Sequence, residues 1–231
     1  MAQKVLRNVT HCIFDMDGLL LDTETLYTKA AQLVLDPYGK TYTFDVKQQI
    51  MGLQTRPVAE FMIKCYDLPL TWEEYAKQQT DNARALMRDA KLMPGAERLL
   101  RHLHANKVPF ALATSSGAEM VELKSTHHRE LFDLFHHRVC GSSDSEVKNG
   151  KPAPDIFLVA ASRFSDKPEP KNCLVFEDSP NGVEAGNSAG MQVVMVPDER
   201  LSKERCAHAT QVLRSLEDFK PEQFGLPPFI N

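Results

Sequence analysis

Short apolar runs rich in β-branched residues recur along the 231-residue chain, at 9–14, 108–114, 137–140, 173–176 and 192–196. Between the later runs lie stretches of helical periodicity, at 96–106, 118–127, 154–164 and 182–189. Strands that alternate with helices of this length predict parallel βαβ units. Their near-continuous apolarity predicts a sheet covered on both faces. The expected class is α/β with a doubly wound parallel sheet. Residues 24–88 break the rhythm: they read as about four helices with no strand-like run, punctuated at Pro37–Gly39, Gly52, Pro57 and Leu68–Pro69. A helical block between the first strand and the rest of a sheet reads as an insertion, a cap over the carboxyl edge. The expected division is a core of 1–17 and 91–231 and a cap of 18–90.

Composition narrows the partners. There are 27 Lys and Arg against 31 Asp and Glu, for a net charge of −4, which argues against a nucleic-acid polymer as the main partner. The longest apolar run, 156–161, is far short of the ~20 residues that span a bilayer. The first ten residues carry Lys4 and Arg7 with no apolar stretch behind them, unlike a secretory signal. Five scattered cysteines with no C-x-x-C spacing read as reduced thiols. These observations point to a cytoplasmic protein, and the state expected of it is a monomer.

Four strand ends carry chemistry. The first run ends in Asp15–Met16–Asp17–Gly18. Carboxylates at i and i+2 of an extended chain face one side. Their repulsion is relieved by a hard divalent ion such as Mg²⁺, though a solvated acidic strand end fits the same residues. The second run ends in Thr114–Ser115–Ser116–Gly117 before a helix, a site for an anion or an ordinary helix cap. Lys151, in Gly150–Lys151–Pro152, sits either in a surface loop or aimed into a site crowded with carboxylates. The fourth run ends in Glu177–Asp178–Ser179–Pro180. In open parallel sheets functional groups gather at this edge.

In this order, the D-x-D-G box, Thr114, the Lys151 loop and the Glu177–Asp178 pair resemble the haloacid dehalogenase superfamily of aspartate-nucleophile phosphatases. The helical insertion resembles the cap of the subclass that includes β-phosphoglucomutase. The resemblance covers essentially the whole chain, and residues 14–23, 110–117, 150–157 and 173–182 are similar to phosphatases of pseudouridine 5′-monophosphate. It implies that Asp15 attacks phosphorus to form an aspartyl-phosphate and that Asp17 serves as general acid, then base. It implies that Mg²⁺ is held by Asp15, the Asp17 carbonyl and Asp178, with Glu177 acting through water. Thr114, Ser115, Ser116 and Lys151 would then stabilise the phosphoryl oxygens. The cap loop 51–57 would read the substrate through Gln54 and Arg56, although Arg56 also fits a solvated position at a helix start. The substrate implied is a small phosphomonoester, nucleotide-like or a sugar phosphate, with pseudouridine 5′-monophosphate foremost. A phosphomutase and a non-catalytic binding protein are the alternatives. The histidines lack ligand spacing and read as structural. Thr71 and Glu74 predict a capping box, and 219–231 an irregular surface strap.

Overall fold

A computed structural model describes residues 6–50 and 55–229. The first strand, β1 (His11–Phe14), is followed by α1 (Thr23–Leu35), α2 (Phe44–Ile50), α3 (Thr55–Tyr66) and α4 (Trp72–Met87). The chain then alternates through α5 (Ala96–Ala105), β2 (Phe110–Thr114), α6 (Ala118–Lys124), α7 (Arg129–Phe132) and β3 (Arg138–Cys140). It continues with α8 (Asp155–Ser162), β4 (Cys173–Glu177), α9 (Pro180–Ser188), β5 (Gln192–Met195), α10 (Lys203–Cys206) and β6 (Gln211–Val212). The strands form one parallel sheet in the order β3-β2-β1-β4-β5-β6. The expected parallel α/β sheet is therefore present.

β1 is central, and all four of its residues are buried. Ile13 sits opposite Ala111 on one side and Val175 on the other, and this row packs with Phe157, Ala160, Val183 and Val193 in one apolar cluster. Phe14 points the other way, as strand alternation requires. It stacks on Phe176, with ring centroids 4.5 Å apart, and meets Phe110 and Phe135 edge to face. Two apolar faces bury the sheet, and its strand ends are held in register by that packing.

Departures from the expected elements have local causes. α6 stops at Lys124 rather than running to 127: Thr126 N donates to Leu123 O at 3.3 Å, and the Thr126 hydroxyl takes Glu122 O, the carbonyl a continuing helix would use, at 3.1 Å. Such hydroxyls offer the backbone an alternative to the helical bond. The tail is irregular as expected, but it is not a surface strap throughout. Phe219 and Phe224 are fully buried, and Phe219 packs edge-on against Phe176.

The chain divides into two compact units, Met1–Asp22 with Lys91–Asn231, and Thr23–Ala90. The expected insertion began at 18. Residues 18–22 instead belong with the sheet: Gly18, at φ 78°, turns the chain so that its N–H donates to Leu21 O, and Leu19 to Leu21 are buried. Leu21 bridges Leu92 in antiparallel fashion, Asp22 N donates to Lys91 O, and Met93 N to Leu20 O. The second unit has its own core of Val34, Leu35, Val46, Ala59, Met62 and Tyr75. Its last helix opens with the capping box, Glu74 N donating to Thr71 Oγ1 and Thr71 N to Glu74 Oε2. Among the described residues no helix is long and apolar enough to cross a membrane.

Candidate active site

β1, β2 and β4 deliver their next residues to one edge. Asp15 follows β1, and its N–H continues the ladder to Phe176 O. Thr114 ends β2 and Glu177 ends β4; both are buried. Lys151 reaches this edge from the loop before α8. Asp155 shapes that loop, its Oδ2 accepting from Lys148 N at 3.1 Å and from Asn149 N at 2.9 Å.

The Lys151 ammonium contacts Asp15 Oδ1, donates to Glu177 Oε1 at 2.6 Å and to Ala113 O at 3.1 Å, and lies 5.0 Å from the centre of the Phe157 ring. The loop alternative left open by its sequence is therefore settled in favour of a lysine aimed into the carboxylates. Burial pulls its pKa down, but Asp15 and Glu177 outweigh burial and the net shift is upward. Lys151 stays charged.

Asp15 is pushed up to about 7. Burial is the largest cause; Lys151 opposes it, and the charges of Glu177 and Asp17 reinforce it. The charge of the Asp15 carboxylate is thus only partly compensated. Four carboxylates, Asp15, Asp17, Glu177 and Asp178, end these strands, and Lys151 and Lys124 are the ammonium groups bonded among them. The donors suit a hard divalent cation. No group of three or more His, Cys, Asp or Glu side chains among the described residues is arranged as a metal cage. Mg²⁺ is usually bound through only one or two carboxylates, with water and substrate phosphate completing the shell, so no such cage is required.

Glu177 is 1% exposed and uses both oxygens. While Oε1 takes Lys151, Oε2 accepts from Asp178 N at 3.0 Å and from Ser179 N and Oγ at 3.1 Å each. The expectation that Glu177 reaches a metal through water thus meets a carboxylate committed to Lys151 and to the turn into α9. Gly182 makes room for it, since a Cβ there would overlap the Glu177 carboxylate. Ser179 caps α9 by accepting from Gly182 N at 3.1 Å.

Thr114 accepts from Ser116 N at 3.2 Å and donates to Asp17 Oδ2 at 3.4 Å. Ser115 is exposed beside it, and its carbonyl accepts from Ser142 Oγ at 2.6 Å. Ser116 Oγ donates to Asp17 Oδ2 at 2.9 Å, and Asp178 is half-buried at the end of β4. Arg56 lies in the first turn of α3, exposed, with Nε on Glu60 Oε1 at 2.7 Å and its guanidinium 5.2 Å from the centre of the Trp72 ring. Gln54 lies outside the described residues. Two histidines bond the backbone, His137 Nε2 donating to Ala160 O and His102 Nε2 to Pro227 O, both at 2.8 Å, while His11 Nε2 pairs with Asp166 Oδ1 at 3.0 Å.

Sequence reasoning missed Lys124, fully buried, whose Nζ donates to Asp17 Oδ1 at 2.6 Å. A signal was available. Lys124 stands three residues after the buried Val121, so it falls on the inward face of α6.

A parallel sheet whose strand ends gather an aspartate pair, a threonine, a lysine and an acidic pair defines a class, and comparison agrees. The chain belongs to the haloacid dehalogenase-like hydrolases, whose family pattern it matches over residues 9–190, and it is a phosphoric monoester hydrolase of that family. It is 74% identical, over 99% of both chains, to a protein of Drosophila melanogaster named "Probable pseudouridine-5′-phosphatase". It is 45% identical to "(DL)-glycerol-3-phosphatase 2" of Arabidopsis thaliana, over 96% of this chain and 93% of that one. Among solved structures it is similar to a HAD family hydrolase from Deinococcus radiodurans R1 with bound phosphate and sodium, at 25% identity and a TM-score of 0.80, covering 96% and 99% of the two chains.

Proposed function

We propose that the chain is a Mg²⁺-dependent phosphomonoesterase that works through an aspartyl-phosphate on Asp15 and takes pseudouridine 5′-monophosphate as substrate. The observation that carries the mechanism is the buried Asp15–Lys151–Glu177 triad with Asp17 two residues further along the chain. The 74% relative's name supports the substrate.

In the first half-reaction an Asp15 oxygen attacks phosphorus while the bond from phosphorus to the ester oxygen breaks. Asp17 gives its proton to that departing oxygen. In the second half, water attacks the phosphorus of the aspartyl-phosphate and Asp17 takes the water's proton. Asp15 is regenerated and inorganic phosphate leaves. Splitting one hard displacement into two is the gain from a covalent nucleophile, and a placed acid–base group contributes about 10²–10⁴-fold. The Asp15 and Asp178 carboxylates and the Asp17 carbonyl would hold Mg²⁺, which supplies positive charge against the two anions that must meet. Lys151, fixed by Glu177, supplies further positive charge from this chain. Thr114 and the Ser115 amide would take the phosphoryl oxygens. Two relatives of different printed substrate share this family, so the strand-end residues serve the phosphate rather than the leaving group. Gln54 is the proposed reader of the leaving group.

The test is phosphate release from a panel of nucleotide and sugar monophosphates, with Mg²⁺ and with a chelator. Release fastest from pseudouridine 5′-monophosphate and abolished by the chelator is the expected result. Release that survives chelation overturns the metal dependence, and a different best substrate overturns only the substrate.

A further inference from the structure

Lysine is rarely buried, because an ammonium taken out of water must find partners that replace it. Lys124 has no exposed side-chain surface. Its Nζ donates to Asp17 Oδ1 at 2.6 Å and to Ser116 Oγ at 2.9 Å, and the Ser116 hydroxyl in turn donates to Asp17 Oδ2 at 2.9 Å. These bonds close a ring of lysine, serine and aspartate that holds both oxygens of one carboxylate. The Asp17 side chain is 23% exposed, so it is open on one side and pinned on the other. The two lysines divide the site: Lys151 serves Asp15 and Glu177, while Lys124 serves Asp17.

We propose that Lys124 is a positioning residue for proton transfer, fixing with Ser116 the orientation in which Asp17 meets the leaving oxygen. An ammonium donates and never accepts. While it occupies Oδ1 that oxygen stays an acceptor, whereas the Ser116 and Thr114 hydroxyls at Oδ2 can turn to accept, so the proton that Asp17 gives up resides on Oδ2. Lys124 keeps its own protons throughout. As the ester bond breaks, the Oδ2 proton passes to the departing oxygen, and the attacking water returns one to Oδ2. The inference rests on the reading of Asp17 as acid and base.

Leaving groups separate this role from a structural one. An alkoxide needs a proton to depart, whereas p-nitrophenolate does not. The experiment measures kcat/KM, which spans departure of the leaving group, for p-nitrophenyl phosphate and for ribose 5-phosphate. It compares the parent, Asp17→Asn, Lys124→Met, Ser116→Ala and the double variant Asp17→Asn with Lys124→Met. For Lys124→Met the alkyl-to-aryl ratio is expected to fall at least about 10-fold, within the range of a lost acid–base contribution, with Ser116→Ala moving the same way by less. The double variant is expected to show no alkyl-specific loss beyond that of Asp17→Asn. Equal losses on the two esters in Lys124→Met, alongside a selective loss in Asp17→Asn, overturn the positioning role alone. Equal losses in Asp17→Asn overturn the acid–base reading and this inference with it. Should Lys124→Met not fold, as judged by its circular-dichroism melt, Ser116→Ala decides: a ratio unchanged from the parent counts against the proposal.

Discussion

Replacing Glu177 by glutamine changes one atom and should damage both stability and rate. The carboxylate accepts from four donors, Lys151 Nζ, Asp178 N, Ser179 N and Ser179 Oγ, in a site only 1% exposed. An amide brings one acceptor and one donor group. Turned one way, its NH₂ faces the Lys151 ammonium; turned the other way, it faces three donors of residues 178 and 179. Breaking a buried ion pair costs about 3–5 kcal/mol. Lys151 keeps Asp15, so the lower end, about 3 kcal/mol, applies. For a chain of this length each kcal/mol moves Tm by about 2–4 °C, so the midpoint should drop by about 6–12 °C. Lys151, freed on one side, should also cost about 10–100-fold in kcat, the scale of a small misplacement in a reacting site. Thermal unfolding by circular dichroism and phosphate release in Mg²⁺ read the two effects. A midpoint within about 2 °C of the parent, with kcat unchanged, would refute the view that Glu177 holds Lys151.

Three further outcomes are expected. Asp15→Asn should lower phosphate release by at least about 10³-fold, with the circular-dichroism spectrum unchanged, because the proposed covalent route is lost while the shape is kept. Gly182→Ala forces a methyl group into the Glu177 carboxylate and should cost about 1–3 kcal/mol by denaturant titration, with loss of activity; Gly150→Ala, with open space around its Cβ, should leave the unfolding midpoint unchanged. His11 and His137 are both held below the usual histidine pKa, chiefly by burial. Unfolded, these two side chains bind protons more readily, so their contribution to stability is full above about pH 6.5 and is lost as pH falls below it, while the raised Asp15 works in the opposite sense over the same range. The change in Tm from about pH 7.5 to about pH 5.5 should therefore be less unfavourable in His11→Gln than in the parent.

Strand ends were legible because each combined an apolar run with an abrupt polar stop, as at Phe14–Asp15 and Phe176–Glu177. Lys151 was legible as a charge in an odd place, and its contacts in the structure follow from that. Lys124 was not, because a lysine closing an amphipathic helix reads as a favourable charge at the C-terminus; only its spacing from Val121 betrays the inward face. β6 was missed because two residues, Gln211 and Val212, cannot show a period. The tail was misplaced because its prolines mark irregular backbone but say nothing of the depth at which Phe219 and Phe224 lie. Glu177 was legible as an acid but not as an anchor, because the four donors that saturate it come from residues as distant in sequence as Lys151.

Asp22 and Lys91 are joined by a main-chain hydrogen bond, and Leu21 is bridged to Leu92. The polypeptide therefore departs from the sheet and rejoins it at one spot. Whatever is spliced between those two residues needs only ends that meet, a requirement whose entropic cost grows slowly with length. Changes of length within the segment are therefore not transmitted through its ends to the register of the strands. The residues at the strand ends and the inserted helices are joined in a way that lets each change at its own pace.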